Sequence, residues 1–573
     1  MDFEKFLSNR KAMWVLLILY SSFIFFINIH SDGLYSAQEG RAAIIARNMI
    51  QSGNYGKIEI KGEPENEKPI FCYWLYAISG KVFGVNEFSV RLPSVLAALV
   101  SIVCAAWLGM RIYNPLSGYI SGYVLATMFG FVNLGRIARI DIVLCAFYAF
   151  AMVLLYEGYF RKRQANALLY LFYIVISISI AVKGPVTVFL AGLTVLILII
   201  MEWDFRKSFQ MLWQLKPISG IIIGLVICVP WLIFECCRSN ENFFAEFFWV
   251  QNLDRFLGIQ TTFCEGRRKS FFYYFPKLFG MTLPWSLLVF PLLWQYRRSW
   301  RNLRHETWFP LIWVLAIFGF FSLSFIKRGD YILPLFPALA VLIGRYIAIE
   351  LRKSHQISRH WIKVWIGISI LTVAAWIAII FGWLTQLAAM IIDGRVPHLA
   401  ARDGMVFRDY LEIFSDSPWL TLFFAVITLG VLFMLGHLLH KGSSHGAFVF
   451  FMAFLMMLFG FYYLCLDPIS NRTRSTKDFC LRIQPLLPSE AIIGYIGSWV
   501  DEAVFFVNRD YERCRLQDIY DSETRQFKFK FIIADSDYYH KKMLKLDGID
   551  KLEKLDSTDD AHHYPLTLLR RKE

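Results

Sequence analysis

Residues 36–85 read SAQEGRAAIIARNMIQSGNYGKIEIKGEPENEKPIFCYWLYAISGKVFGV, and they lie between two strongly apolar segments. Apolar side chains recur at i, i+3, i+4, i+7 and i+8 in the first half, at Ala42, Ile45, Ala46, Met49 and Ile50. The spacing returns after Pro69, at Ile70, Tyr73, Trp74, Ala77 and Ile78. These stripes predict two amphipathic helices at a membrane surface, joined by a turn-rich segment. The charged residues at the helix starts either line a site or only solvate a loop.

The composition of the whole chain is that of an integral membrane protein. Its 573 residues are 57% hydrophobic and only 18% charged, and the mean hydropathy is +0.46. Soluble domains carry more charge. Apolar runs long enough to cross a bilayer predict about thirteen transmembrane helices, near 12–29, 92–110, 115–133, 141–158, 167–183, 185–201, 218–236, 276–295, 307–325, 331–350, 363–388, 418–440 and 446–465. The first run lacks a small-residue cleavage site, so we expect it to be retained.

The distribution of Lys and Arg predicts the orientation. Basic groups at the N-terminus and in 161–163, 297–304 and 352–363 fall on one side, which is then cytoplasmic. An odd number of spans places the C-terminus outside. Much of the net charge of +14 reflects this topology, so it does not indicate nucleic acid as a partner.

The composition becomes that of a soluble protein at about residue 467. Strand-like and helix-like segments alternate there, at 492–497 and 529–535 for strands and at 471–487 and 538–546 for helices. This alternation predicts a small α/β domain over 467–573, after a membrane domain over 1–466 that has a second long outer loop at 236–275. No glycine-rich phosphate loop is present in it, which favours an accessory role.

Charged residues gather at the predicted outer ends of the spans. They are Glu39, Arg41, Lys68, Arg136, Arg139, Asp141, Lys183, Asp254, Arg255, Lys327 and Arg328. Cations on the outer side oppose the inside-positive bias, so they need another explanation. A lipid phosphate is a natural ligand for them. Structural alternatives stay open, since Asp141 could be a helix cap and Lys183 could extend to the interface.

Two classes of membrane protein fit such residues. A transferase with a lipid-phosphate donor needs cations for the departing phosphate and a carboxylate for an acceptor that carries a proton. A transporter or flippase more often has ionisable groups near mid-span, where this chain has few, and often has inverted repeats.

The chain resembles the bacterial lipid A 4-amino-4-deoxy-L-arabinose transferases, within the protein O-mannosyltransferase-like superfamily. The resemblance rests on the order of the words QEGRAA, NEKPIFCYW, ARIDIVL, VKGP, FYYFPKLFGMTLPW and KRGDYILPLFPALA. It implies a polytopic helical GT-C glycosyltransferase fold in the bacterial inner membrane, with a cytoplasmic N-terminus and a periplasmic C-terminus. It also implies transfer of a sugar from a polyprenyl-phosphate donor to a lipid A-like or surface-glycan acceptor. A protein O-mannosyltransferase-like enzyme is the alternative within this class.

The resemblance also implies roles for individual residues. The acidic pair of these enzymes, usually Asp-Glu, is Gln38–Glu39 here, so the catalytic carboxylate is Glu39 or Asp141, or activity differs or is lost. The residues that the resemblance implies for binding of the donor phosphate are Lys68, Arg139, Lys327, Arg328 and Tyr331. Further cavity candidates are Gln38, Arg41, Glu67, Lys183, Arg255 and Tyr274.

The need for a metal is left open by the sequence. In the aminoarabinose transferases a histidine in the loop after the seventh span can join the glutamate of the E-K-P word, here Glu67, in binding zinc. This chain has no histidine between Cys236 and Phe275, so we predict no definite cofactor and keep a divalent metal as an alternative.

Overall fold

The computed structural model describes residues 9–352 and 418–572, with gaps of which the longest are 239–248 and 260–268. The chain forms two compact units. The first comprises Met1–Ile29 and Ala42–Ile349, and the second comprises His30–Arg41 and Glu350–Glu573. The predicted span at 363–388, most of the loop at 236–275 and residue Glu67 lie outside the described residues.

The described residues between 10 and 352 are mostly helical. Its α-helices are α1 (Arg10–Phe26), α2 (Ala37–Ser52), α3 (Phe71–Phe83), α4 (Glu87–Ile112), α5 (Pro115–Ala126), α6 (Phe129–Gly135), α7 (Ile140–Leu155), α8 (Asn166–Lys183), α9 (Val186–Ile200), α10 (Phe205–Gln214), α11 (Pro217–Arg238), α12 (Arg255–Leu257), α13 (Tyr274–Met281), α14 (Val289–Ser299), α15 (His305–Leu323) and α16 (Phe336–Arg352). A buried 3₁₀ helix, Gly329–Leu335, leads into α16. A two-stranded hairpin, β1 (Glu59–Ile60) with β2 (Glu63–Pro64), separates α2 from α3.

Local sequence signals set several helix ends. Asn86 caps α4 by accepting a hydrogen bond from the Ser89 N–H at 2.9 Å, while the Ser89 hydroxyl accepts one from the Asn86 N–H at 3.0 Å. Asn114 caps α5 by accepting a hydrogen bond from the Ser117 N–H at 3.0 Å, and Pro115 at the first helical position supplies a favourable φ. Gly84, with φ +75°, ends α3.

The predicted amphipathic helices of 36–85 correspond to α2 and α3. The predicted apolar residues Ala42, Ile45, Ala46 and Met49 are all buried, so this stripe of α2 faces the protein interior. On α3, Tyr73 and Ala77 are buried, whereas Ile78 is 59% exposed. The placement of both helices at a membrane surface stays a prediction.

Seven helices are long and apolar enough to cross a membrane, or nine if each of two bent pairs forms one span, among the residues that the structure describes. The predicted single span at 115–133 is the pair α5 and α6, bent by 65°. The predicted span at 276–295 is α13 and α14 with their short 3₁₀ helices, bent by 111°. Pro284 lies at this second bend, where it cannot donate a helical hydrogen bond. The total of thirteen spans stays a prediction.

The packing of the first unit brings the N-terminal end of α7 against the 3₁₀ helix Gly329–Leu335. In this unit α7 also packs on α4 and α8, and α9 packs on α15. Two polar contacts fix the 3₁₀ helix, because the Trp313 indole donates to the Pro334 carbonyl at 2.9 Å and the Cys145 thiol donates to the Leu333 carbonyl at 3.5 Å. The first residues of this 3₁₀ helix therefore lie beside the start of α7.

The second unit contains two apolar helices and a mixed α/β fold. Its helices are α17 (Pro418–His440), α18 (Ser444–Phe461), α19 (Asp467–Arg474), α20 (Lys477–Ile483), α21 (Asp501–Val507), α22 (Leu516–Ile519) and α23 (Ser536–Lys541), and its strands are β3 (Ile493–Ile496), β4 (Tyr511–Cys514), β5 (Tyr520–Asp521), β6 (Gln526–Phe527), β7 (Phe531–Asp535), β8 (Leu552–Ser557) and β9 (Leu566–Arg571).

Five of these strands form one sheet in the order β4-β3-β7-β9-β8. β3 is parallel to β4 and β7, whereas β9 is antiparallel to β7 and β8. The two strands that the sequence predicts, at 492–497 and 529–535, coincide with β3 and β7. The helix predicted over 471–487 is divided into α19 and α20 at Ser475–Thr476, whose polar groups bind a buried glutamate described below.

Candidate functional site

Asp141 lies in the first turn of α7 and is buried, with 5% of its surface exposed. The helix cap is Arg139, whose backbone is extended. The Arg139 N–H donates to the Ser94 hydroxyl at 3.1 Å. The cap interpretation of Asp141 is therefore wrong, and its carboxylate is available for another contact.

That contact is with Lys183, the last residue of α8. Its ammonium group donates a hydrogen bond to Asp141 Oδ1. The same group lies 4.5 Å from the ring centroid of Tyr331, in a cation–π arrangement. The Lys183 side chain is only 18% exposed, so it does not extend to solvent at the helix end. Each member of such a buried ion pair depends on the other, because an unpaired buried charge is costly.

Asp330 is the second carboxylate of this region, and the sequence analysis did not select it. Its Oδ2 atom lies 3.0 Å from Arg328 Nη2 and 3.5 Å from Arg139 Nη1. Asp330 is only 7% exposed. One signal could have identified it, since a carboxylate follows Lys-Arg-Gly and precedes Tyr331 at the start of an apolar segment. Its pairing with Arg139, 191 residues away, could not be read from spacing.

Tyr274 supports the same loop. Its buried hydroxyl donates to the Arg328 carbonyl at 3.0 Å. The Arg328 guanidinium carbon lies 6.0 Å from the Tyr331 ring centroid. The structure thus brings together six residues, which we call the cationic cluster: Arg139, Asp141, Lys183, Arg328, Asp330 and Tyr331.

The cationic cluster has three positive and two negative side chains. One positive charge is in excess, beside two buried carboxylates, so an anion is attracted there. Burial lowers the pKa of Arg328, but Asp330, Tyr331 and Asp141 together outweigh this effect, and the pKa is raised above its usual value. Arg328 and Arg139 side chains are 38% and 18% exposed. The guanidinium group carries several N–H donors whose geometry suits the oxygens of a phosphate.

Helix α3 lies next to the cationic cluster. It packs on α4 and α8. Burial raises the pKa of the Cys72 thiol, Asp141 raises it further, and Lys183 opposes the change. Cys72 is thus within electrostatic reach of both charged residues. Lys68, a predicted phosphate ligand, is half-buried just before α3.

Two predicted or candidate cations have other contacts. The Lys327 ammonium donates to the Ser324 carbonyl, and burial lowers the pKa of Lys327. Arg136 donates to the carbonyls of Ile24, Phe25 and Ile27 at 2.7, 3.1 and 2.6 Å. These carbonyls end α1 and lack helical partners, so Arg136 acts as a helix cap.

The second unit holds Gln38, Glu39 and Arg41. Gln38 is half-buried, and Glu39, in the first turn of α2, is fully buried. The Arg41 Nε atom lies 3.7 Å from Asp501 Oδ2. The sequence analysis did not select Asp501, although DEAVFF places two acids at the start of α21.

Glu502 is the other buried acid of this helix. It accepts hydrogen bonds from the Ser475 hydroxyl at 2.5 Å, the Thr476 N–H at 2.9 Å and the Thr476 hydroxyl at 3.1 Å. Burial raises the pKa of Glu502, the three hydrogen bonds oppose this, and the nearby Glu39 carboxylate raises it again. Glu39 therefore lies close to a second carboxylate within this unit.

The remaining predictions about ligands concern Arg255 and a metal. Arg255 begins the short helix α12, and its side chain lies outside the described residues. Among the residues that the structure describes, no group of three or more His, Cys, Asp or Glu side chains could hold a metal ion.

Comparisons with known proteins point to one group of enzymes. A family described as dolichyl-phosphate-mannose-protein mannosyltransferase matches residues 67–234. The undecaprenyl phosphate-α-4-amino-4-deoxy-L-arabinose arabinosyl transferase of Enterobacter sp. is 28% identical over 336 residues, which are 58% of this chain and 59% of that protein. The enzyme of the same name from Yersinia enterocolitica is 28% identical over 394 residues, which are 67% of this chain and 66% of that protein.

Solved structures show the same relationship at the level of the fold. The crystal structure of ArnT from Cupriavidus metallidurans bound to undecaprenyl phosphate has a TM-score of 0.73 at 20% identity, covering 97% of each chain. The archaeal oligosaccharyltransferase AglB from Archaeoglobus fulgidus has a TM-score of 0.51 at 11% identity, covering 94% of this chain and 70% of that one.

The sequence matches span about three fifths to two thirds of the curated relatives, with 59% and 66% in the two cases above. The fold matches extend over nearly the whole chain. The resemblance inferred from the sequence words is therefore confirmed: the chain has a GT-C fold and is similar to the aminoarabinose transferases.

Proposed function

We propose that this chain is an integral membrane glycosyltransferase. It moves a sugar from a polyprenyl-phosphate donor to a lipid A-like acceptor on the periplasmic face of the bacterial inner membrane. The cationic cluster is the observation on which this proposal rests. Its three cations and two carboxylates leave one positive charge in excess, which favours binding of a phosphate. The names of the relatives, which include undecaprenyl phosphate and an arabinosyl transfer, support it.

The reaction needs a stabilised leaving group. The acceptor oxygen forms a bond to the anomeric carbon of the sugar, and the bond from that carbon to the donor phosphate oxygen breaks. The electron pair of the broken bond leaves with the carrier phosphate. Arg139, Arg328 and Lys183 stabilise the charge that develops there, since preorganised donors act most strongly in a water-poor site.

The carboxylates have separate roles in this proposal. Asp141 holds the Lys183 ammonium and so fixes one of the phosphate ligands. Glu39 is the candidate for the carboxylate that orients the donor sugar or accepts a proton from a hydroxyl acceptor. A phosphate acceptor, as in lipid A, needs no such base, so Gln38 in place of an aspartate is compatible with transfer.

One of the proposed phosphate ligands is replaced by another residue. Lys68, Arg139, Arg328 and Tyr331 remain proposed ligands, and Lys183 joins them. Lys327 is instead proposed to stabilise its own loop, because its ammonium group is bound by the Ser324 carbonyl.

The topology is part of the proposal. Basic groups on one side favour a cytoplasmic N-terminus and a periplasmic C-terminus with thirteen spans. The α/β fold of the second unit then lies in the periplasm. Partners are the donor, the acceptor and membrane lipids.

A protein O-mannosyltransferase is the second candidate. The match of residues 67–234 to the mannosyltransferase family favours it. These residues include α3, α7 and α8, which carry or adjoin much of the cationic cluster. Mass spectrometry of lipid A and of exported proteins from a deletion strain distinguishes the two acceptors.

Transfer in reconstituted vesicles tests the proposal. The vesicles contain the full chain, lipid A and labelled undecaprenyl phosphate-4-amino-4-deoxy-L-arabinose or undecaprenyl phosphate-mannose. We expect transfer by the wild type from one donor and a loss of about 10²–10³-fold in Lys183→Met and Asp141→Asn. Asp204→Asn, which keeps an amide able to cap α10, is the control.

Undiminished transfer in both cluster variants would remove the proposed site. Movement of labelled donor across the bilayer without a new glycosidic bond would identify a flippase instead.

A further inference from the structure

One buried carboxylate oxygen in the cationic cluster has no hydrogen-bond partner among the residues that the structure describes. Asp330 Oδ2 lies within 3.0 Å of Arg328 and 3.5 Å of Arg139. Asp330 Oδ1 is buried and accepts no hydrogen bond from any residue that the structure describes. A buried carboxylate oxygen without a donor carries a desolvation cost, so such an atom calls for an explanation.

The donor phosphate cannot supply the missing hydrogen bond. A polyprenyl-phosphate sugar is a phosphodiester, which at neutral pH has only acceptor oxygens. Its negative charge is repelled by a carboxylate and attracted by Arg139 and Arg328. A phosphate acceptor in its doubly ionised form likewise offers no hydrogen.

The sugar is the part of the donor that carries hydrogen-bond donors. Its ring hydroxyls and any amino group lie within a few bonds of the phosphate. A phosphate bound by the two guanidinium groups brings these substituents close to the carboxylate that both guanidinium groups share. We propose, on the basis of the proposed transferase function, that Asp330 Oδ1 accepts a hydrogen bond from a hydroxyl or ammonium group of the donor sugar.

The consequence is selectivity for the glycosylated carrier. The bare carrier phosphate is a product of the proposed reaction, and it competes with the donor because it has the same lipid and phosphate. Asp330 favours the donor over this product, because only the donor has a group that satisfies Oδ1. The negative charge of Asp330 at the same time opposes the doubly charged bare phosphate.

The test compares two equilibrium dissociation constants. Undecaprenyl phosphate and undecaprenyl phosphate-4-amino-4-deoxy-L-arabinose are titrated into the full chain in nanodiscs at pH 8, where the bare phosphate is a dianion. The measured quantity is the Kd of the bare carrier divided by the Kd of the donor. We expect Asp330→Ala to lower this ratio about tenfold to hundredfold relative to the wild type. Asp330→Asn lowers it less, since its amide oxygen still accepts a hydrogen bond.

Asp204→Asn is the matched control, because it also removes one carboxylate and leaves the ratio unchanged. An Asp330→Ala variant that weakens both ligands equally overturns the inference, since Asp330 then only positions the arginines. A wild type that binds neither carrier form contradicts the proposed function itself.

A second measurement does not depend on the variants folding. The wild type is titrated with donor probes that lack one ring hydroxyl or the amino group in turn. Loss of the group that contacts Asp330 weakens binding about tenfold or more. If no single deletion weakens binding beyond about twofold, the inference is overturned, whereas carrier binding and the proposed function stand.

Discussion

The ammonium group of Lys183 donates a hydrogen bond to the carboxylate of Asp141, 42 residues earlier in the chain. Lys183 ends α8 and Asp141 lies in the first turn of α7, so the pair joins the ends of two neighbouring helices. Both side chains are largely buried. The pair therefore matters both for the stability of the first unit and for the charge of the cationic cluster.

Removing one partner of this pair destabilises the protein. We expect Lys183→Met to lower the free energy of unfolding by about 3–5 kcal/mol, because it leaves a buried carboxylate without its cation. The double variant Asp141→Asn/Lys183→Met recovers most of that loss but not sugar transfer. Thermal unfolding of the purified protein, with transfer measured in parallel, checks both expectations. A double variant no more stable than Lys183→Met would contradict this explanation.

Arg136 and Arg139 are three residues apart and have different roles. Arg136→Gln removes three hydrogen bonds to the end of α1, so we expect a loss of about 2–4 kcal/mol in stability. The folded fraction keeps its affinity for undecaprenyl phosphate. For Arg139→Gln we expect the opposite pattern, in which the affinity for undecaprenyl phosphate falls about tenfold to hundredfold. Ligand titration of both variants after removal of unfolded protein makes the comparison. Equal affinity losses would place Arg136 in the site as well.

Lys327 and Arg328 are adjacent, and only Arg328 contacts Asp330. We expect Arg328→Gln to weaken carrier binding about tenfold to hundredfold, since a charge-assisted hydrogen bond is lost. Lys327→Met changes affinity by about threefold at most, because a charge beyond direct contact is partly screened. The dissociation constants at low and moderate salt measure the difference. A larger loss of carrier affinity in Lys327→Met would show that Lys327 is a phosphate ligand after all.

Glu502 makes the second unit sensitive to pH. Its pKa in the folded protein is raised above the ordinary value, so the folded state holds the proton more tightly than the unfolded state. This contribution to stability is complete below the ordinary pKa and is lost as the pH rises through the raised one. We expect Glu502→Gln to remove this dependence and Glu39→Gln to weaken it.

Amide hydrogen exchange in α20, corrected for the intrinsic effect of pH, measures this. Protection in the wild type falls as the pH rises, and protection in Glu502→Gln stays constant. Identical pH profiles for the two proteins would show that the Glu502 carboxyl does not titrate in this way.

The sequence predicts helices and charged helix ends better than it predicts which side chains contact each other. The apolar stripes of α2 and α3 follow from local spacing, and so do the strands β3 and β7. The bends after Ala126 and Met281 were not predicted, because hydropathy averages over a window and does not register a local break. Asp330 and Glu502 were missed for a different reason, since their roles come from contacts with residues far away in the chain.

Arg136 and Asp141 illustrate the same limit. Both are charged residues of one short link, and the sequence analysis places both in the same group of charged helix ends. The structure separates them through their partners, which are the carbonyls that end α1 in one case and the Lys183 ammonium in the other. Such partners depend on tertiary packing and are not encoded in the spacing of the link.

An experimental structure with undecaprenyl phosphate bound tests the central claim most directly, by the distances from the phosphate oxygens to nearby nitrogens. We predict contacts of about 2.7–3.2 Å to the guanidinium groups of Arg139 and Arg328. A phosphate bound elsewhere, without contact to either arginine, would contradict the account.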